Sequence, residues 1–310
     1  MEIKRDFDLG GRRGGAPRES RGLANIPATA VQHDGKAHKT AINRSLAVTM
    51  AAPSRARYPA PMKLAVIADI HGNLPALEAV LADIARRGVT RIVDLGDCVS
   101  GPLWPRETCE VLMARGFPTV RGNHDRWVAT LAPSDLGPSD RYTFGALDEA
   151  QRRWLGALPA MVRLDGGILA VHGRPGDDNR YLLEDIERGR VVRAPAAKIA
   201  ERLDGTDAAV VLCGHSHQQH MVRVPGGPLV INPGSVGLPA YRDPDGIAHV
   251  SEVGSPHARY ALIGDDGGAM TIELVALEYD HTSAAKRGLA NGSPGWEHAL
   301  ATGFALPAPT

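Results

Sequence analysis

This chain of 310 residues is predicted to adopt an α/β fold, in which the first half of the chain contains a parallel sheet and the second half a further sheet that packs on it. Two features of the sequence predict this. Residues 63–120 alternate short runs of Val, Ile and Leu with helical patterns, as in a parallel βαβαβ unit. From residue 167 onward the chain is rich in further short apolar runs, which indicates the strands of a second sheet.

Local signals define the elements of the βαβαβ unit. The strand from Lys63 to Ala68 is a continuous apolar run after its first residue. Asn73 is a good N-cap for a helix that extends to Gly88 with apolar residues at helical spacing. A second strand, a second helix and a third short strand complete the unit: Arg91 to Leu95, Pro105 to Arg115 and Pro118 to Val120.

The second half of the chain is predicted to be mostly strands. The segment from Ala132 to Tyr142, rich in Pro, Ser, Asp and Gly, is more typical of a surface loop than of a lid. After it, six strands are expected: Gly167 to Val171, Ala208 to Cys213, Met221 to Val224, Pro228 to Ile231, Arg259 to Ile263 and Met270 to Ala276.

The chain divides into three segments. Residues 1–61 lack helical or strand periodicity, carry 11 Lys or Arg against 5 Asp or Glu, and are expected to be disordered. One interpretation is that translation begins at Met62 or Met50, and the other is a basic arm that binds an acidic partner. Residues 62–279 form the main domain. Residues 280–310 form a helical tail, broken at Gly292 and Pro294, that packs on the body through Leu289, Trp296 and Leu300.

The composition excludes several classes of protein. No stretch approaches the roughly 18 apolar residues of a membrane helix, and the start lacks the apolar core of a signal peptide. Residues 62–310 carry 24 Lys or Arg against 30 Asp or Glu, so they contain no strong nucleic-acid signal. The three cysteines, Cys98, Cys109 and Cys213, suit buried, reduced thiols. We therefore expect a cytoplasmic protein.

Five short motifs contain residue types that bind metal ions. Each directly follows an apolar run, so its polar side chains are expected at the carboxyl end of a buried strand, where open sheets bind ligands. Any one motif alone is more often structural, but five together predict a shared metal site. Of the other histidines, His220 stays open because it is close to the turn at residues 214–217, and the rest, His249 among them, have no such context. The motifs are Asp69-Ile70-His71, Gly96-Asp97, Gly122-Asn123-His124-Asp125, Val171-His172-Gly173 and Gly214-His215-Ser216-His217.

The motifs provide enough donors for two metal ions. Asp97 is the candidate bridge, because the two oxygens of a carboxylate can bind separate cations. Oxygen and imidazole donors together suit Mn, Fe, Zn or Ni better than Ca or Mg, and we expect two divalent ions, with Mn²⁺ as the first choice. The other candidates fall into two groups: Asp69, His71 and His217 for one metal, and Asn123, His172 and His215 for the other.

Two such cations predict the hydrolysis of phosphate esters. Cations about 3.5 to 4 Å apart bind a bridging hydroxide, lower its pKa and neutralise the phosphoryl group that it attacks in line. His124 is not needed as a ligand, so it is free to stabilise the transition state or to protonate the leaving oxygen. Asp125 is expected to hold the other ring nitrogen of His124. His124 and Asp125 are therefore the candidate catalytic pair.

With these motifs the chain resembles the calcineurin-like metallophosphoesterase superfamily, whose pattern is DxH, GD, GNH followed by D or E, H and GHxH. The resemblance extends from about Met62 to Glu278. It implies a four-layer αββα sandwich of two mixed sheets, with the metals above the sheet edges. It also implies that one metal is bound by Asp69, His71, Asp97 and His217 and the other by Asp97, Asn123, His172 and His215.

Within that superfamily the chain is similar to the small bacterial and archaeal phosphodiesterases, through residues 67–73 (IADIHGN) and 232–237 (NPGSVG). Arg174 stands where relatives often have Ser, so it is a candidate phosphate contact, although an ion pair with Asp177 or Asp178 explains it equally well. Asn232 is a second candidate for contact with substrate. The alternative for Asn232 is a tight turn that requires Gly234 at positive φ.

The sequence thus predicts a metal-dependent hydrolase that cleaves phosphodiesters or small phosphomonoesters. Phosphomonoesters remain possible substrates because residue 124 is His, whereas some small phosphodiesterases of this kind have Cys at that position. A protein Ser/Thr phosphatase is a weaker alternative, since the segment from Gly96 to Gly101 lacks the Arg-Gly ending typical of those enzymes. A non-catalytic scaffold of the same fold is weaker still, because all seven ligand positions are filled. A homodimer is compatible with exposed strand edges, although no residue predicts it.

Overall fold

The computed structural model describes residues 63–203, 205–244, 246–266 and 269–307. These residues belong to one compact unit. The expectations for residues 1–61, namely disorder, a basic arm and a start at Met62 or Met50, lie outside the described residues. None of the helices in the described part of the chain is long and apolar enough to cross a lipid bilayer.

The described residues form thirteen strands and eight α-helices. The strands are β1 (Lys63–Ile67), β2 (Arg91–Asp94), β3 (Met161–Leu164), β4 (Ile168–Val171), β5 (Glu184–Glu187), β6 (Arg190–Arg193), β7 (Val210–Leu212), β8 (Gln219–Arg223), β9 (Leu229–Pro233), β10 (Ala240–Asp243), β11 (His249–Glu252), β12 (Ala258–Asp266) and β13 (Ala269–Leu277). The helices are α1 (Leu74–Arg86), α2 (Pro105–Arg115), α3 (Asn123–Thr130), α4 (Pro138–Ala146), α5 (Glu149–Ala157), α6 (Ala196–Arg202), α7 (His281–Ala290) and α8 (Pro294–Thr302).

Two large sheets are both mixed, as predicted. The first has the strand order β13-β12-β1-β2, in which β1 and β2 are parallel and β12 and β13 are antiparallel to their neighbours. The second has the order β3-β4-β7-β9-β8, in which β4, β7 and β9 are parallel and the two outer strands are antiparallel. The parallel strands of each sheet therefore end at a common edge.

Three apolar cores separate the layers of this fold. The two sheets pack face to face through residues such as Val66, Val93 and Leu212, all fully buried. On the outer side of the first sheet, α1, α2, α3 and α5 cover a core that includes Leu77. On the outer side of the second sheet, α6 covers a core through Ile199. Each fully buried Leu, Ile or Val contributes about 1.5–3 kcal/mol to stability. The predicted αββα sandwich is thus confirmed.

Several elements differ from the prediction. A third sheet, with the order β10-β11-β6-β5, was not expected at all. Most of the expected loop from Ala132 to Tyr142 is helical, with a 3₁₀ turn at Pro133–Asp135 and the start of α4. The tail breaks between α7 and α8, where Gly292 and Pro294 predicted a break, but Leu289 is 54% exposed and does not anchor it. The prediction for Leu289 is wrong because the buried residues of α7 are Ala284, Ala285 and Gly288, on another face of the helix.

Candidate active site

The predicted ligands lie on turns at the carboxyl ends of the parallel strands. Six non-glycine residues in the described part of the chain have positive φ, and all but Arg188 are predicted metal ligands. Such a conformation costs on the order of 1 kcal/mol or more for a residue with a Cβ atom, and this strain collects at functional sites. The five strained ligands are Asp69 (φ 54°), His71 (φ 51°), Asp97 (φ 53°), His215 (φ 68°) and His217 (φ 60°).

Backbone hydrogen bonds hold these turns together. The amide of Asp69 donates to the carbonyl of Gly96 at 2.9 Å, and the amide of His71 donates to that of Asp97 at 3.0 Å. Gly122, just before α3, brings a third turn against them, and a Cβ atom on it would lie 2.0 Å from Asp97 Oδ1. The amide of His124, in the first turn of α3, consequently donates to Asp97 Oδ1 at 3.0 Å.

One cluster of potential ligand atoms comes from Asp69, His71 and His217, all of which are buried, and these atoms lie within 4.8 Å of one another. The Nε2 atoms of His71 and His217 are 3.1 Å apart. His217 Nε2 is also 3.5 Å from Asp69 Oδ1. Side chains from the two large sheets therefore converge on a single point.

The second cluster comes from Asp97, His172 and His215. His172 Nε2 lies 3.2 Å from Asp97 Oδ2 and 3.0 Å from Asn123 Oδ1, so Asn123 joins the cluster. Asp97 Oδ2 is also 3.9 Å from His71 Nε2 in the first cluster. This one carboxylate oxygen therefore lies between the two clusters.

The donor atoms fit metal ions. A carbonyl oxygen can only accept a hydrogen bond, so each histidine that contacts one through Nδ1 carries its proton there. His71, His172 and His217 do so, with the carbonyls of Ser100 (2.8 Å), Leu95 (2.8 Å) and Leu238 (2.7 Å). When these rings are neutral, each Nε2 atom has a lone pair that points at another nitrogen or oxygen lone pair. The atoms are separated by about the distance between two ligands of one cation. A bound cation is what makes that arrangement favourable.

The pKa values around the clusters show how charge is distributed. Burial lowers the pKa of His71 to about 4 and that of His215 to about 3, so both rings are neutral donors of lone pairs near pH 7. Burial raises the pKa of Asp69 well above its ordinary value. Burial also acts to lower the pKa of His172, but the charge of Asp97 outweighs it and raises that pKa to about 10. A proton on His172 and a metal ion are thus alternative partners for Asp97.

His124 is held by Asp140 and not by Asp125, so the predicted partner was wrong. His124 Nδ1 donates to Asp140 Oδ1 at 2.8 Å, and Ser100 Oγ donates to the same oxygen. Asp125 instead accepts from the amides of Asp97 (2.9 Å), Gly122 (2.9 Å) and Cys98 (3.0 Å). Both Asp125 oxygens are used in this way, and the His124 ring is bound by Asp140 instead.

The charge near His124 favours its protonated form. Burial lowers its pKa, but Asp140 and Asp97 outweigh the burial and raise the pKa to about 9. Because Nδ1 is bound to Asp140, Nε2 carries the proton that can be transferred. His124 is therefore suited to donate a proton near neutral pH.

The two candidate substrate contacts are not supported. Asn232 is fully buried, and its side chain donates to the Gly214 carbonyl (2.9 Å) and accepts from the Gly234 amide (2.9 Å). It holds the turn, and Gly234 has the positive φ (77°) of the alternative interpretation. Arg174 Nε donates to the Tyr181 carbonyl at 2.8 Å, and Arg174 is not among the described residues that line the groove over the metal ligands.

A hydrogen-bonded chain that the sequence did not reveal supports the ligand turn. His249 Nδ1 donates to the carbonyl of Ile247 at 2.7 Å, so His249 Nε2 accepts from the Tyr181 hydroxyl at 2.6 Å. That hydroxyl has one hydrogen, so Tyr241 donates to Tyr181 at 2.6 Å. The Tyr181 ring packs on His215 with 4.9 Å between ring centroids. These residues are far apart in the sequence, so no local spacing pattern predicts their contacts.

A groove of about 480 Å³ opens over both clusters. His71, Asp97, Asn123 and His215 contribute to its floor, and its walls include the aromatic residues Trp127, Tyr181, Tyr241 and Trp296. This volume lies within the range of small-molecule sites. The histidine and carboxylate clusters are thus accessible to a small substrate.

Comparison with known proteins identifies the family. Residues 62–253 match the calcineurin-like phosphoesterase superfamily domain. This chain belongs to the calcineurin-like phosphoesterase superfamily. Membership agrees with the mixed sheets and with the two clusters that could bind metals.

Similar proteins cover most of the length of this chain. An uncharacterized protein of Methanocaldococcus jannaschii is 29% identical over 259 residues, which cover 75% of this chain and 94% of that protein. A metallophosphoesterase from Sphaerobacter thermophilus is 27% identical, with a TM-score of 0.57 over 75% of this chain and 95% of that chain. A hypothetical protein from Pyrococcus horikoshii OT3, at 19% identity, shares the fold, with a TM-score of 0.61 over 79% of this chain and 99% of that chain.

The match to the calcineurin-like phosphoesterase superfamily domain ends at residue 253. Strands β12 and β13 and the tail helices α7 and α8 lie beyond it. Trp296 of α8 nevertheless lines the groove. The groove is therefore built in part from residues outside the matched domain.

Proposed function

We propose that this protein hydrolyses phosphodiesters or small phosphomonoesters with two divalent cations, Mn²⁺ being the first choice and Fe, Zn or Ni the alternatives. One observation carries the proposal. The Nε2 atoms of three histidines, whose Nδ1–H groups are held by backbone carbonyls, converge on one another or on the oxygens of Asp69, Asp97 and Asn123 in a buried site. Such a set of acceptors is stable only around positive charge.

The geometry supports a specific division of ligands. Asp69, His71 and His217 would hold one cation, and Asn123, His172 and His215 would hold the other. Asp97 would contribute to holding both cations, because its Oδ2 lies near ligands of each cluster. Its Oδ1 already accepts from the amide of His124, which refines the sequence-based expectation that each oxygen of Asp97 binds a separate metal.

The residues around the cations have separate tasks. When bound, two cations supply a hydroxide nucleophile at neutral pH and offset the charge of the phosphoryl group. His124 donates the proton of Nε2 to the leaving oxygen. Asp140 positions that ring through Nδ1, and Asp125 holds the backbone of the turns that carry Asp97 and Asn123.

A cytoplasmic location is part of the proposal. Cys98, Cys109 and Cys213 are all free and buried, and burial raises the pKa of each thiol. Unpaired thiols suit a reducing compartment.

The test is metal content together with hydrolysis of bis-p-nitrophenyl phosphate and p-nitrophenyl phosphate by the Mn²⁺-loaded protein. We expect about two ions per chain and metal-dependent turnover, with the preferred ester deciding between diesterase and monoesterase. Asp97→Asn should lower kcat by about 100-fold or more, as when a charge-stabilising group is removed from an active site. Asn tolerates the positive φ at this position, so the turn is preserved.

A matched control is Asp207→Asn, since Asp207 is exposed and precedes β7 at the end opposite His215. This variant should keep wild-type metal content and turnover. A protein that binds no metal, or an Asp97→Asn variant as active as the wild type, would overturn the proposal.

A further inference from the structure

The C-terminal tail forms part of the groove beside the proposed metal ligands. The Trp296 ring meets His71 edge-on, with 6.0 Å between ring centroids. Its Nε1 donates to Ser139 Oγ in α4 at 3.2 Å. A Cβ atom on Gly101 would lie 2.6 Å from the Trp296 ring, so the loop after Asp97 fits closely against it. The orientation of Trp296 is thus fixed from two sides.

A second cavity of about 360 Å³ adjoins the groove, and we name it the distal chamber. Leu238, Tyr241, Arg242 and Trp296 line both spaces. The tail supplies much of the remaining wall of the distal chamber, as Ala305, Leu306 and Pro307. Arg242 Nη2 donates to the Leu306 carbonyl at 3.2 Å and so attaches the end of the tail to β10. The distal chamber therefore lies directly beside the groove, with Trp296 at the boundary of both spaces.

The position of His124 indicates which part of a diester extends there. The leaving oxygen must lie near the proton donor His124, whose ring contacts Trp127 at 4.8 Å between centroids. Trp296 adjoins His71, whose ring centroid is 5.6 Å from that of His124. The leaving group is thus assigned to the side of His124 and Trp127. The distal chamber is left for the ester group that stays on phosphorus.

The walls of the distal chamber favour an aromatic group. Trp296 and Tyr241 present ring surfaces, and the other residues are mostly aliphatic. An aromatic ring gains from stacking and from loss of apolar surface to water, whereas a charged or hydroxylated group would lose its hydration there. A methyl group is too small to reach past Trp296.

We propose that the distal chamber binds an aromatic ester group retained on phosphorus and that Trp296 is its specificity-determining residue. The inference rests on the proposed phosphodiesterase activity. In the reaction, water adds its hydroxyl to phosphorus, one P–O bond breaks, and the leaving oxygen takes a proton. The retained group remains as a phosphomonoester.

Two diesters with the same leaving group test this proposal. Bis-p-nitrophenyl phosphate and methyl p-nitrophenyl phosphate both release p-nitrophenol and differ only in the retained group. We expect Trp296→Ala to lower the ratio of their kcat/KM values by about 5- to 100-fold, the range for loss of one stacked ring. Trp296→Phe should retain most of the wild-type ratio. Leu306→Ala should lower the ratio less than Trp296→Ala does.

The control is Leu289→Ala, because Leu289 is an exposed residue of the same tail, on α7. It should leave the ratio unchanged. A ratio in Trp296→Ala equal to that of the wild type would overturn the proposal, and so would a ratio in the folded Trp296→Phe variant as low as that of Trp296→Ala.

A binding measurement separates this inference from the proposed function. Calorimetry with the Mn²⁺-loaded protein compares phenylphosphonate with methylphosphonate. We expect tighter binding of phenylphosphonate, with the advantage reduced in Trp296→Ala and largely kept in Trp296→Phe. If the wild type hydrolysed neither diester but bound phenylphosphonate more tightly, the proposed phosphodiesterase activity would be wrong. The proposal that the distal chamber binds an aromatic group would still hold. Equal binding of the two phosphonates by the wild type would refute the chamber itself.

Discussion

Two aspartates near His124 have different tasks at the scale of single residues. Asp140 accepts from His124 Nδ1, whereas Asp125 accepts from three backbone amides of the turns around Asp97. Changing each to Asn keeps its size and removes its charge. The two variants should therefore fail in different ways.

Asp140→Asn should impair turnover with little effect on metal binding. Without the carboxylate, the His124 imidazolium is less stable, and we expect kcat to fall about 10- to 100-fold, the loss typical when an orienting partner is removed. The alkaline limb of the pH–rate profile should move to lower pH, because Asp140 helps to raise the pKa of His124. Steady-state kinetics from pH 6 to about 10 measure both effects. An unchanged alkaline limb would argue against His124 as the proton donor.

Asp125→Asn should weaken the site itself. An amide offers one accepting oxygen where the carboxylate offered two, so at least one buried N–H loses its partner at a cost of about 1–3 kcal/mol. We expect a lower urea midpoint and fewer Mn²⁺ ions retained per chain after dialysis. If Asp125→Asn kept its metal and lost only turnover, Asp125 would act on the reaction and the sequence-based pairing would be reinstated.

The sequence revealed the candidate ligands but not their supports. Asp69, Asp97 and His172 each follow an apolar strand, and that position alone directs them to a common edge. Asp140 lies sixteen residues beyond His124, in a segment that resembles a loop, and only the packing of α4 brings it near. His249 meets Tyr181 across 68 residues of sequence. Such contacts depend on tertiary structure and have no local pattern.

At the scale of elements, α3 can approach Asp97 only because residue 122 is glycine. Alanine readily adopts the φ of Gly122 (−82°), so Gly122→Ala introduces no backbone strain. The variant therefore tests only the close approach of a Cβ atom to Asp97 Oδ1. We expect loss of Mn²⁺ binding and of turnover, with the circular dichroism spectrum retained. Gly145→Ala is the control, since Gly145 is an exposed position of α4 where a Cβ atom would meet nothing within 4 Å. Wild-type metal content in Gly122→Ala would show that the turn can shift without harm.

Helix α1 is attached to the first sheet through a buried carboxylate whose effect depends on pH. Asp83 accepts from Tyr260 in β12 and from Arg87 Nε at 2.8 Å. Burial raises the pKa of Asp83, but these hydrogen bonds outweigh it and hold the pKa below its ordinary value. A carboxyl group with a lowered pKa stabilises the fold above its unfolded pKa of about 4, and the effect is lost as pH falls through the folded value.

Asp83→Asn should therefore lower the free energy of unfolding by about 1–2 kcal/mol at pH 7 and by less near pH 3. Urea denaturation of wild type and variant at both pH values measures the difference. Asp207→Asn, at an exposed position, should show no such difference. A penalty for Asp83→Asn that is equal at both pH values would exclude the ionised carboxylate as its cause.

Prediction of elements succeeded where burial was strong on both faces of a strand. The strands β1, β4 and β7 are nearly continuous apolar runs and were found to within about two residues. In contrast, β5 has the sequence EDIE and β6 has RVVR, so neither contains a long apolar run. These strands form a small peripheral sheet with little core of its own, and tertiary contacts override their weak local preferences.

At the scale of the whole molecule, the site exists because two sheets present strand ends at one place. The first sheet supplies Asp69, His71 and Asp97, and the second supplies His172 and His215. Burial of carboxylates and five strained backbone positions oppose folding there. These unfavourable contributions to the free energy of folding are offset when cations bind between the two sheets.

Metal binding should therefore stabilise the whole fold. A ligand that binds only the folded state at a hundredfold excess over its Kd adds about 2.7 kcal/mol. For a domain of this size we expect Mn²⁺ to raise the Tm by on the order of 5–10 °C, and chelation with EDTA to reverse the change. Asp97→Asn should abolish most of the shift, whereas Asp207→Asn should retain it. Scanning calorimetry with and without Mn²⁺ measures each value, and an equal rise in both variants would mean that the stabilising ions bind elsewhere.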